Sequence, residues 1–507
     1  MDRSSFLPFL SLVIGPVCMA AIAYSILAYV IGILPALEVI GLVLLTLEVI
    51  WYFYYRYRIR ALSETLVTSP PYDDYEFILE NIIDYVSDNG NVFFPLWFQS
   101  RNVESITRSE FRAMFAANYH HKTVSELTPY EAEMFERMCT SFEDRVGAKF
   151  MVQDASTDKV KGLPARVYYD DSEEHPVGYM QHTRDDLKVI HHPLFLYLWS
   201  HLSNVSCTIV LRYVLGFTDV FDQTTRIWYW VKRSKKKVTQ EAYGTFDDAA
   251  KSTPAARKPI VFAHGMGVGL GQYLHIVWRL CHMHNYLGEP DKDGVTEDTS
   301  GVDDRDVYLM DMPHIALRIC EDVPTVDSLV ETIKNFLQKD GHDSAVFVGH
   351  SYGTVVLARM AKTNKHLMHT TAFIDPICFL LFVPDILHSF VYRSPAAHWF
   401  QWLRWYFCSR ELYMQNVLCR NFWWHQYILF ASDIPKHTLV VAAMEDDIVP
   451  SRGVVEYLKA NSPDTHVFEP LFQHAQFMTS PDFVKKLIRR LVAQDASATA
   501  EKAAGTY

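Results

Sequence analysis

The chain has 507 residues, a formal net charge of -12 at pH 7 and a hydrophobic fraction of 49%. That acidity excludes a molecule built as a whole to bind nucleic acid, and the length exceeds one ordinary domain unless segments have been added to a single core. Cysteines stand at 18, 139, 207, 281, 320, 378, 408 and 419, with no C-x-x-C pair and mostly in apolar stretches. This points to packed thiols in a reducing compartment, not to a zinc site or a disulfide framework.

Between Phe6 and Tyr55 only Glu38 and Glu48 are charged. A span needs about 20 apolar residues, so the stretch holds two: a helix over 7–31 and another over 36–55, broken at Pro35. So short a link fits a hairpin that crosses fully or a wedge that enters one leaflet and returns. Arg3 precedes the pair, Arg56, Arg58 and Arg60 follow it, and the link has no Lys or Arg. The positive-inside tendency then places both ends and the large domain on the cytosolic side, as on endoplasmic reticulum or lipid droplets. A cleaved signal peptide is the competing reading; the length of 7–31 and the second apolar segment speak against it. Asn204-Val205-Ser206 is a glycosylation sequon only if the domain is luminal.

Residues 1–60 are thus read as the anchor and 61–257 as a mostly helical region. Amphipathic helices are expected over 75–87, 109–118 and 129–142, and a strand over 225–231. The region's part is to complete a sheet, to help dock the domain or to shape the entrance to a site. Segment 191–217 is apolar with only Arg212 charged; His201, Ser203 and Asn204 interrupt it, so a buried or membrane-contacting helix pair is expected in place of a third span. Lys232-Arg233 with Lys235-Lys236-Lys237 reads as a solvated loop or as a contact with an anionic lipid surface.

After a polar stretch at 244–258 the pattern changes. Apolar strands at 259–263, 307–310, 345–348, 370–374 and 437–443 alternate with helices at 272–283, 326–339, 352–362, 452–460 and 482–492. Such alternation predicts a mostly parallel sheet covered on both faces. An acidic loop at 288–306 interrupts it, and the small, polar tail at 495–507 is expected to be disordered.

The strongest motif is Gly349-His350-Ser351-Tyr352-Gly353, preceded by an apolar strand and followed by a helical pattern. G-x-S-x-G in that setting lifts a serine above the sheet edge on a strained turn, where glycines avoid collisions. Upstream, the strand at 259–263 runs into His264-Gly265-Met266-Gly267, where backbone N–H groups serve an oxyanion hole; Met266 and Tyr352 are the assigned donors. The glycines at 265, 267 and 269 lack the dinucleotide-loop spacing. A serine nucleophile needs a histidine base and an orienting acid. His474, on a loop before the last helix, is the expected base. Asp446, just past the strand at 437–443, is the expected acid. Asp447 beside it and Asp375, one strand earlier in Phe373-Ile374-Asp375-Pro376, remain alternatives.

Over 259–492 these four collinear motifs resemble the α/β-hydrolase superfamily. The resemblance implies an α/β-hydrolase domain at 258–494 and hydrolysis through an acyl-enzyme with no cofactor or metal. It also implies a helical cap in the insert at 376–436. That insert is rich in aromatics, including Phe379, Phe382, Phe390, Trp399, Trp402, Trp405 and Trp423-Trp424. With an anchor on the same chain, an apolar or lipid ester substrate is expected. A lipid acyltransferase using the same triad is the alternative, although H-x-x-x-x-D is absent. A catalytically silent scaffold is disfavoured by the intact triad, and an epoxide hydrolase or dehalogenase by a serine where those relatives use aspartate.

Overall fold

The computed structural model describes residues 23–26, 34–64, 70–98, 105–146, 178–234, 257–286, 305–395 and 399–504. Most of the helix expected at 7–31 lies outside the described residues, as do the basic triplet at 235–237, nearly all of the polar stretch at 244–258 and most of the acidic loop at 288–306. The chain divides into two compact units, Met1–Leu62 with His191–Trp199, and Ser63–Ile190 with Ser200–Tyr507.

In the first unit the helix expected at 36–55 is longer, α1 (Leu34–Ser63), because the Arg- and Tyr-rich sequence after Tyr55 holds no helix breaker. Glu48, a charge inside the apolar stretch, is not left unpaired: its two oxygens accept the Leu194 N–H at 2.9 and 3.0 Å. Trp51 Nε1 donates to His192 O at 2.8 Å. Glu48 thereby caps the start of a second apolar helix, where orphan N–H groups favour a carboxylate. Among the described residues two helices are long and apolar enough to cross a membrane, Glu38–Ser63 and Leu194–Val214.

The second unit begins with three helices, α2 (Tyr75–Trp97), α3 (Arg108–Tyr119) and α4 (Pro129–Val146). The sequence pattern stops α2 before Asn89-Gly90, but the helix continues past a kink at Asn89. Gly90 is needed there: a Cβ would sit 1.7 Å from the Phe142 ring of α4. The helix pair expected at 191–217 is instead one helix, α5 (Leu194–Ile209), running into a π-helical turn at Val210–Val214. Its polar residues do not break it because they are accommodated: Ser200 is buried, and Asn204 accepts from Arg318.

The sheet has eight strands in the order β1-β2-β4-β3-β5-β6-β7-β8. They are β1 (Thr218–Asp222), β2 (Ile227–Lys232), β3 (Ile260–Ala263), β4 (Val307–Met310), β5 (Ala345–His350), β6 (Met368–Ile374), β7 (Thr438–Val441) and β8 (His466–Phe468). From β4 to β8 the pairing is parallel, while β1 and β2 add antiparallel to the β4 edge. Side-chain alternation divides the core. Ile260, Phe262, Val346, Val348, Ile374 and Val441 face α6 (Leu274–Leu280) and the last helix. On the other side Tyr308 stacks on Phe336 of α7 (Val326–Lys339) at 4.3 Å. The nucleophile motif leads into α8 (Gly353–Asn364). Between β6 and β7 the chain forms short helical turns with α9 (Trp399–Arg404), α10 (Leu412–Arg420) and α11 (Trp424–Tyr427). Then follow α12 (Ser451–Asn461) and α13 (Pro481–Ala503).

α13 corrects the reading of the tail 495–507 as disordered for 495–503, while 505–507 lie outside the described residues. The helix continues to Ala503 because that segment has partners: Arg305 pairs with Asp495 at 3.1 Å, and Ala498 is fully buried.

Candidate active site

β5 is buried along its length and ends at His350, and the chain turns at once into α8. Ser351 bears the turn with φ +51, a left-handed conformation costly for a residue with a Cβ. It is held from both sides: its N–H donates to Ile374 O of the neighbouring strand at 2.9 Å, and its carbonyl accepts the Thr354 N–H at 2.9 Å. The glycines are steric necessities. A Cβ on Gly353 would lie 2.1 Å from Ala263 O, and one on Gly265 would lie 2.9 Å from the Ser351 Cβ.

His474 stands on the loop between β8 and α13. Its Nε2 is 2.9 Å from Ser351 Oγ and its Nδ1 is 2.7 Å from Asp446 Oδ2. A carboxylate only accepts, so Nδ1 carries the proton and Nε2 is left to accept from the serine hydroxyl. Asp446 is fixed in turn by the Ile448 and Val449 N–H groups, which donate to its Oδ1 at 2.8 and 2.9 Å. Burial alone would lower the His474 pKa, but the charge and hydrogen bond of Asp446, helped by Asp375, outweigh it and raise the imidazole above its ordinary value.

The two alternative acids make other bonds. Asp447 points to the insert between β6 and β7, where Arg393 donates to it at 3.0 Å and Arg404 also pairs with it. Asp375 is fully buried with φ +45. Its Oδ2 accepts the N–H of Ala475, the residue after His474, at 2.7 Å, and lies 3.5 Å from His350 Nε2. Burial pushes its carboxyl up, but His350, His474 and the Ala475 N–H hold it below the usual carboxylate range. One ligand-type atom each of Asp375, Asp446 and His474 lies within 4.8 Å of the others. These atoms already serve hydrogen bonds to one another or to the backbone.

His264, at the end of β3, is fully buried, and burial pushes its pKa down to about 4. Its Nε2 accepts the Met312 N–H at 3.2 Å, so Nδ1 donates to Gly265 O at 2.9 Å. Neutral His264 thereby ties the turn at 264–267 to the exit of β4. Among the described residues neither the Met266 nor the Tyr352 N–H is engaged in a hydrogen bond.

Met266, Ser351, Tyr352 and His474 line one end of a cavity of about 90 Å³. Its walls are apolar and come from two places. Ile377, Leu381, Phe382, Phe390, Leu418 and Phe422 belong to the insert, whereas Trp97, Asn118, Tyr119 and His182 come from 61–190. Tyr119 is anchored by donating to Phe382 O at 2.9 Å. Sequence reasoning missed these four residues: Trp97, Asn118 and Tyr119 lie on faces of α2 and α3 that read equally well as core, and His182 lies on a turn with no periodic pattern. It also missed Arg404, which donates to His474 O at 2.6 Å; the only signal was a lone guanidinium inside the aromatic run 399–407.

The sheet order, the strand–turn–helix at Ser351 and the cavity above it define the hydrolase class of α/β proteins. The alpha/beta hydrolase family model matches residues 260–499, and the sheet over that stretch has the α/β-hydrolase fold. No curated protein matches the chain. Similar solved structures include a bacterial membrane phospholipase A, 16% identical with TM-score 0.37, covering 59% of this chain and 93% of that one. Carboxylesterase CesB (YbfK) from Bacillus subtilis is 10% identical with TM-score 0.35, covering 59% of this chain and 99% of that one. E-2-(acetamidomethylene)succinate hydrolase is 14% identical with TM-score 0.34, covering 55% of this chain and 99% of that one.

Proposed function

We propose that the chain is a membrane-associated serine hydrolase that cleaves carboxylic esters with apolar acyl groups. The reading is carried by the continuous hydrogen-bonded chain from Ser351 Oγ through His474 to Asp446, opening into an apolar cavity. Ser351 Oγ attacks the ester carbonyl while His474 Nε2 takes its proton. Asp446 holds the ring in the required tautomer and stabilises the imidazolium. The Met266 and Tyr352 N–H groups donate to the oxyanion of the tetrahedral intermediate. His474 then returns the proton to the departing alkoxide, leaving an acyl-serine. Water, deprotonated by the same imidazole, attacks the acyl carbon and releases the acid with Ser351 restored. Tyr352 and Met266 flank the reacting end, and the insert with α2 and α3 sheathes the acyl chain.

Association with lipid is supported by the two helices long and apolar enough to cross a membrane. A fluorophosphonate probe tests the core of the reading. Native protein should be labelled and lose ester turnover, while Ser351→Ala should take no label and turn over at least about a thousandfold more slowly. Folded native protein that resists the probe and hydrolyses no ester of any chain length would refute it.

A further inference from the structure

Three buried polar side chains beneath the site take no part in the steps above, yet they join its two halves. The Gly265 N–H donates to Tyr273 Oη at 3.0 Å. Tyr273 Oη lies 2.7 Å from His350 Nδ1; its own proton is free to donate there. His350 Nε2 then carries the other ring proton and faces Asp375 Oδ2 at 3.5 Å. Asp375 Oδ2 also accepts the Ala475 N–H at 2.7 Å. The links through Gly265, Tyr273 and Ala475 are hydrogen bonds, whereas His350 Nε2 and Asp375 Oδ2 attract across 3.5 Å without a formed hydrogen bond. One end is the turn that bears the Met266 N–H, and the other is the loop that bears His474. The path passes directly under Ser351, since His350 precedes it.

We propose that Tyr273, His350 and Asp375 are positioning residues, a relay that fixes the oxyanion turn and the base loop at one spacing across Ser351. The inference rests on the hydrolytic reading given above. Its second support is conformational: Ser351 (φ +51), Asp375 (φ +45) and Ala475 (φ +64) all hold left-handed backbone without glycine. Such residues persist only where surrounding bonds over-determine them, and the relay supplies those bonds at Asp375 and Ala475. Its third support is electrostatic. The groups facing His474 are Asp446, Asp375, Arg404 and the His350 ring, and Asp375 adds to the pull that raises the base.

Burial keeps His350 below its ordinary pKa, so the relay is read with a neutral ring. Displacing a catalytic group by about 1 Å costs on the order of a hundredfold in rate, so small slack in either loop is enough to register.

The test compares Tyr273→Phe, Asp375→Asn and the double variant in the full chain, each checked for native circular dichroism. Each single change is expected to lower kcat about tenfold or more with KM within about twofold, because ground-state binding is untouched. Asp375→Asn should also move the acid limb of kcat/KM to lower pH, which a merely structural residue would not do. The double variant should lose no more than the worse single, since both cut one path. Losses that multiply, or folded single variants with kcat within twofold and an unmoved acid limb, overturn the relay. Should Tyr273→Phe fail to fold, the limb of Asp375→Asn decides alone. Native protein that is labelled at Ser351 while the variants behave as native refutes the relay and spares the hydrolytic reading. Native protein that takes no label and turns over no ester overturns both.

Discussion

His474 is the residue on which the proposed chemistry turns, and its surroundings set a measurable pH dependence. As a base it works only when neutral. Burial opposes its protonation, but Asp446 and Asp375 favour it more strongly, so its pKa stands above the ordinary 6.5. The sign follows: as pH falls through that raised value the base is protonated and kcat/KM declines, so the acid limb lies above the ordinary histidine position. Asp446→Asn removes the larger stabilising charge and favours the wrong tautomer. Its expected outcome is a loss of kcat of about a thousand- to ten-thousandfold together with an acid limb displaced to lower pH. Steady-state rates across pH with a soluble ester check both, and near-normal turnover would reject Asp446 as the acid. Asp375→Asn leaves the Asp446–His474 bond intact, so its loss should be far smaller. That contrast separates an orienting acid from a carboxylate that acts through the backbone of the next residue.

At the scale of elements, the cavity is built by two segments brought together over the sheet, the insert after β6 and the helices of 61–190. Leu381 and Leu418 sit on its wall. Replacing either by Trp adds bulk where an acyl chain would lie, so turnover of long-chain esters should fall about tenfold or more while short-chain esters stay within a few-fold. An ester series of increasing length reads this directly, and equal losses at all lengths would argue that the chain lies elsewhere. The insert was legible in the sequence as a cap because it falls between two clear strands and is crowded with aromatics. The turn at Ser351 was legible because its glycines answer to local sterics, with Gly353 facing Ala263 O. The lining from α2 and α3 was not legible, because periodicity reports that a face is buried without saying whether it meets core or cavity. β1 and β8 were missed because both are edge strands: β1 breaks its apolar pattern with Asp219 and Asp222, and β8 has only three residues. The last turns of α13 depend on Arg305, a residue far away in sequence, and no local pattern could reveal that ion pair.

For the whole molecule, the membrane association proposed above makes a specific demand on α5 with its π-helical end. From Ser200 onward one stripe packs on the domain: Ser200, Cys207 and Leu211 are buried, and Cys207 and Ser203 lie beside Gly271. The opposite stripe, Leu202, Val205, Ile209 and Tyr213, is exposed, Leu202 at 63% and Tyr213 at 77%. A helix surrounded by lipid would be apolar on all sides, whereas one with a protein-facing stripe and an apolar outer stripe suits the plane of the interface. Although long and apolar enough to cross, α5 with its π-helical end is thus better suited to lying on a bilayer. Arg212 supports this placement, since it pairs with Asp219 of β1 at the end of the same stretch. The consequence is a substrate-dependent effect. Leu202→Asp with Ile209→Asp in the full chain should lower turnover of an ester embedded in vesicles about tenfold or more, because burying one such aliphatic side chain in the interface is worth about 1.5–3 kcal/mol and a carboxylate forgoes it. Neither residue lines the cavity, so turnover of a soluble short-chain ester should remain at the native level. Equal losses on both substrates would mean that the change damages the fold, and no loss on vesicles would mean that this stripe does not meet the lipid.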